Sequence, residues 1–131
     1  MTFWPGGISI EDTISPLKLL DQAREDWETK SNGLLTLVLQ ESSGDKEGIV
    51  VHAKNVISKR TATLFTVNFP EGWNEYPAFI LTPFAINEAC SESYREFRDK
   101  LFREFQASRV KSIVSNLLID TTNYCLEKGE Q

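Results

Sequence analysis

The sequence is poor in the residues that most enzymes depend on. Its 131 residues contain one histidine, His52, and two cysteines, Cys90 and Cys125. A single imidazole can act as a general base or hold the centre of a triad. His52, however, lies in an alternating stretch beside Val50 and Lys54, where a partly exposed sheet residue is the plainer account. A zinc site would have to join His52, Cys90, Cys125 and a carboxylate at no recognised spacing, so no metal and no cofactor are expected. Neither GxxxxGK nor GxGxxG occurs, which removes two glycine-rich phosphate cradles. Two distant cysteines fall short of the disulfide framework of small secreted domains, and free thiols are the expectation.

Long apolar runs are also missing. No stretch approaches the roughly 20 residues that cross a bilayer, and MTFWPGGISIEDT has neither the basic nor the apolar region of a signal peptide. A cytoplasmic protein with no membrane partner is expected. Nor is there a basic excess: 19 acidic residues against 14 basic ones give a net charge of −5. Nucleic-acid binding draws much of its affinity from neutralising phosphates, so no nucleic-acid partner is expected. The basic run Arg95, Arg98, Lys100, Arg103, Arg109 and Lys111 is interleaved with Glu92, Glu96, Asp99 and Glu104. Glu96–Lys100 and Asp99–Arg103 have the i, i+4 spacing of helical ion pairs, which reads as a solvated helix face.

What remains is an ordinary globular composition, 40% hydrophobic and 25% charged. The length fits one domain, here 15–126, between an irregular arm (1–14) broken by Pro5-Gly6-Gly7 and a frayed acidic tail (127–131). Phe3 and Trp4 of the arm are expected to pack back onto the body. Ser15-Pro16 places a cap and an N1 proline at a helix start, and Asn32-Gly33 ends that helix. GLLTLVLQ, GIVVHAKNVI and TATLFTVNF read as strands, with short connections that force antiparallel neighbours. YPAFILTPF reads as a fourth strand at the sheet edge, where Pro77 and Pro83 are tolerated. Leu64 and Phe65 stand side by side in the third strand, which predicts a second sheet face covered in part by the arm or by another chain. Ser93 to Glu96 fits a capping box. Phe97, Leu101, Phe102 and Phe105 then form one apolar stripe, and Val110, Ile113, Val114, Leu117 and Leu118 a second, with a break near Ala107. The fold class is α+β: an N-terminal helix, a four-stranded antiparallel meander and two C-terminal helices on one sheet face.

The densest aromatic stretch is NFPEGWNEYPAF (68–79), in a chain that is 11% aromatic. This order of elements, with Tyr76-Pro77 and a further proline at Pro83, resembles the ubiquitin-conjugating enzymes and their non-catalytic relatives, the RWD domains. The resemblance implies that the tyrosine and prolines brace the loop between strands three and four. The His-Pro-Asn triplet of the conjugating enzymes is absent, and Cys90 lies nearer the Tyr-Pro than a conjugating cysteine would, so the resemblance implies no catalytic role for it.

Trp73 and Tyr76, flanked by Glu71 and Glu75, also have the make-up of a protein-binding hot spot, which Phe3 and Trp4 would extend. The expected function is a non-enzymatic interaction module, a small adaptor, immunity-type or regulatory protein, with another protein or a second copy of itself as partner. The alternative is a small-molecule sensor using the sheet face around His52, Lys54 and Thr66, which calls for a closed pocket of several hundred Å³. A third reading is a thiol enzyme on Cys90, if a helix N-terminus lowers that thiol's pKa. Glu11-Asp12, Glu71, Glu75 and Asp120 read as surface charge.

Overall fold

In the computed structural model, residues 3–6, 13–42, 48–83 and 89–127 are described, with Ala89 and 123–127 by backbone alone. The hairpin tip at 43–47, Glu11-Asp12, the Cys125 side chain and the tail from 128 lie outside these. The chain runs α1 (Pro16–Lys30), β1 (Leu35–Ser42), β2 (Gly48–Asn55), β3 (Thr61–Asn68), β4 (Ala78–Leu81), β5 (Ala89–Ser91), α2 (Tyr94–Phe105) and α3 (Ser108–Glu127). The strands form one antiparallel sheet in the order β1-β2-β3-β4-β5. An N-terminal helix, an antiparallel sheet and two C-terminal helices make it an α+β protein. Among the described residues the sheet has five strands where four are expected, because β5 is three residues long and too short to show an alternating pattern. β4 is therefore interior, and Pro77 and Pro83 fall outside its ends, where a missing N–H removes no ladder bond.

The start of α1 is set by local chemistry. Ser15 Oγ accepts from the Lys18 N–H at 3.3 Å, and Pro16 occupies the first helical turn. At the other end Gly33, at φ 81°, donates its N–H to the Glu28 carbonyl at 2.8 Å after Asn32 at φ 55°. Leu19 and Leu20 are turned into the core between these ends.

The same Ser31–Leu34 turn shapes the sheet margin. The Ser31 hydroxyl accepts from the Leu35 N–H at 2.9 Å and donates to the Leu35 carbonyl at 3.1 Å. Thr36 Oγ1 donates to Glu28 Oε2 at 2.5 Å, tying α1 to the edge strand β1.

Leu64 and Phe65 are both buried, which corrects the expectation of a second face covered in part by the arm or by another chain. The register shifts between Val51 and His52: Val51 faces Phe65 while His52 faces Thr63. Leu64 is the extra residue of a β-bulge, so the alternation of faces breaks there and both neighbours can be buried.

α2 begins with the Ser93 half of a capping box, the return bond being displaced by one residue. The Glu96 N–H donates to Ser93 Oγ at 3.4 Å, and Glu96 Oε2 accepts from the Glu92 N–H at 2.9 Å, one residue before the cap. The expected i, i+4 ion pairs give way to other partners. Glu96 is used in the cap, Asp99 pairs with Arg98 at 3.2 Å, and Lys100 reaches the Cys90 carbonyl.

The helices cover one face of the sheet. Phe105 meets Phe65 edge-on at 5.4 Å and Trp27 at 5.9 Å, joining α2, the sheet and α1. Asn55, fully buried at the end of β2, holds α3. Its Nδ2 donates to the Leu117 carbonyl at 2.7 Å and to Thr121 Oγ1, while its Oδ1 accepts from the Ile57 and Ser58 N–H groups at 2.8 and 3.0 Å. Outside this contact Arg60 forks onto Asp120, both oxygens at 3.1 Å, so the Asp120 carboxylate serves as half of a surface pair.

Candidate functional site

The aromatic loop is fastened to the molecule at several points. The Tyr76 hydroxyl donates to the Ile14 carbonyl at 2.8 Å, and its ring meets the buried Phe97 edge-on at 6.0 Å. Asn74, at φ 60°, turns its Oδ1 to accept from the Leu17 N–H at 2.7 Å, in the first turn of α1. The Tyr76-Pro77 bond is cis. Burial, with a smaller contribution from Tyr94, pushes the Tyr76 phenol from 10.0 up to about 12. Tyr76 thus braces the lead-in to α1 and stays half-buried. Trp73 packs edge-on against the buried Phe69 at 5.4 Å and keeps 36% of its surface exposed. A cavity of about 400 Å³ lies beside Tyr76, bordered by Thr13, Ser15, Tyr94 and Arg95.

Phe3 and Trp4 do not pack back as expected: Phe3 is 95% exposed and Trp4 60%. Pro5 and Gly6 follow them directly and are exposed as well.

His52, Lys54 and Thr66 share the sheet face opposite the helices. His52 is engaged through both ring nitrogens, Nε2 with Gln40 Oε1 and Nδ1 with Thr63 Oγ1, each at 2.9 Å. It acts as a rung across three strands. Lys54 lies opposite Thr36 and Thr61, and Thr66 opposite Val50 and Leu81. The cavity beside Tyr76 and the groove between the helices are both lined by other residues. Cys90 is a free, half-buried thiol on β5 opposite Phe79, within the sheet and not at the first turn of α2. Among the described residues, no group of three or more His, Cys, Asp or Glu side chains is placed to hold a metal ion. No helix among them is long and apolar enough to cross a membrane.

A larger feature lies on the helical layer. A groove of about 990 Å³ runs between α1 on one side and α2 and α3 on the other. Leu101 and Val110 are buried at its base, and Ala23, Trp27, Phe105 and Val114 are half-buried along it. Phe102 stands in it 65% exposed. The expected stripe of Phe97, Leu101, Phe102 and Phe105 was too wide, since Phe102 sits about 100° around the helix from Leu101. One turn beyond Val114, Leu118 is exposed too, and Ile119 follows Ser115 in the same way.

Sequence reasoning passed over Asn55 and Asn74, since asparagine in a polar turn is commonplace. A signal was nevertheless present in Asn55-Val56-Ile57-Ser58, where an Asx turn precedes a strand. Neither a family model, nor a curated protein, nor a solved structure matches this chain.

Proposed function

We propose that this chain is a non-enzymatic protein-interaction module, working in the cytoplasm, whose binding surface is the helical groove. The observation that carries this reading is Phe102, exposed over a groove with an apolar floor and charged rims, walled by three helices. Apolar surface that stays in water beside a cleft marks an interaction site, and aromatic side chains dominate the energetics of such sites. The aromatic loop takes a supporting part, because Tyr76 is bonded to Ile14 in the lead-in to α1 and Asn74 to Leu17 in its first turn. The sensor reading draws less support, with both nitrogens of His52 engaged inside the sheet.

The test is a photo-crosslinking amino acid placed at position 102, and separately at 73, in the native host. A discrete protein adduct at 102, with little or none at 73, is the expected result. The reverse pattern would move the interface to the loop, and no adduct at either position would remove the reading.

A further inference from the structure

We infer that the protein seated in the helical groove is a second copy of this chain, related by a two-fold axis that runs parallel to the groove. The inference rests on the reading of the groove as an interface and adds the identity of its occupant. The two walls of the groove carry opposite charge. The α1 wall presents Glu25 and Asp26, both exposed, with Lys30 at its C-terminal end. The opposite wall presents Arg98 from α2 and Lys111 from α3, also exposed. Asp99 already pairs with Arg98 at 3.2 Å, which leaves Lys111 as the less compensated cation of the two.

A foreign helix would need one basic flank and one acidic flank, in the correct order, to satisfy both walls. A second copy meets that requirement by symmetry. A two-fold axis along the groove turns one groove face-down on the other and exchanges left for right. The acidic α1 wall of each copy then lies over the basic α2–α3 wall of its partner, and the pairing occurs twice. An axis across the groove would set like walls together, which costs binding energy. In the favoured arrangement Phe102 of each copy enters the apolar groove of the other, where Trp27, Phe105 and Val114 await it, with Leu118 extending the contact at one end.

The experiment is sedimentation velocity on the full chain across about 1 to 100 μM, the range in which a modest interface populates both species. Wild type should shift from one chain to two as concentration rises. Phe102→Asp should weaken the association at least tenfold while circular dichroism stays unchanged. Reversing the acidic wall alone (Glu25→Lys with Asp26→Lys) should weaken it similarly. Reversing both walls, by adding Arg98→Glu and Lys111→Glu, should restore it. That last variant keeps the falsification independent of folding defects, because the most heavily altered chain is the one expected to associate. A chain that stays monomeric throughout overturns the inference, as does a dimer indifferent to Phe102 and to the single-wall reversal. If the chain is monomeric yet position 102 crosslinks to another protein, the inference fails and the interaction-module reading stands. If neither occurs, both fail.

Discussion

The aromatic loop and the helical groove hold the same kinds of side chain and use them in opposite ways. In the loop, Tyr76 and Asn74 direct their polar atoms at the backbone of α1 and its lead-in, and Trp73 leans on Phe69. In the groove, Phe102 faces outward while Trp27 and Phe105 pack against each other beside it. The lesson is that aromatic density alone does not say whether the side chains are free to meet a partner. What distinguishes the two regions is whether the aromatic residues already have neighbours inside the chain.

That contrast can be broken by substitution, and the expected losses of stability run from the loop and turn anchors down to the groove. Asn55→Ala should cost most, on the order of 3 kcal/mol, because it removes the buried partner of the Leu117 carbonyl and the Thr121 hydroxyl and unties two N–H groups of the part-buried 57–58 turn. Urea unfolding would register it as a lower midpoint at unchanged slope.

Tyr76→Phe should cost about 1 kcal/mol by removing the bond to Ile14. It should also change the alkaline profile. The folded chain holds the Tyr76 proton up to about 12, whereas an unfolded tyrosine releases it near 10.0. Stability from this group is therefore complete below the lower value and is lost as pH rises through the higher one. Thermal melts across that window should show a decline that is shallower in the phenylalanine variant.

Trp73→Ala should cost about 1 kcal/mol, the loss of one edge-on aromatic pair, and should leave self-association untouched. Phe102→Ala should change stability least, by about 0.5 kcal/mol or less, since its ring faces water. It should nonetheless weaken self-association at least tenfold in sedimentation. A Trp73 variant that dissociates the pair, beside a Phe102 variant that does not, would reverse the comparison.

The parts of the fold that were legible in the sequence are those decided within a few residues. Ser15-Pro16, Ser93 to Glu96 and Asn32-Gly33 each set a helix end through bonds to near neighbours. The features that escaped depend on register or on distant contacts. The bulge at Leu64 exists only relative to β2, and β5 is a strand only because Ala78, Phe79 and Ile80 lie beside it. Asn55 draws its importance from Leu117 and Thr121, more than sixty residues away in the chain (|i−j| of 62 and 66). At the candidate site, Tyr76 and Trp73 were visible as a cluster, but which of their atoms were engaged was not. The groove was hidden because periodicity counts apolar residues on a helix and does not say whether another helix comes close enough to cover them.

One bond at the sheet margin bears on how such a protein survives at high concentration. β1 is one of the two edge strands of the described sheet, and its sequence LTLVLQES contains no proline and no lysine. Bare strands of that kind template the addition of further strands, the first step toward fibrils. Here the Ser31 hydroxyl takes both the N–H and the carbonyl of Leu35, so an incoming strand finds that docking point occupied. Glu28, hydrogen-bonded to Thr36, adds a negative charge at the same end. A serine placed at a helix stop thereby also occupies the outward polar groups of the first residue of β1.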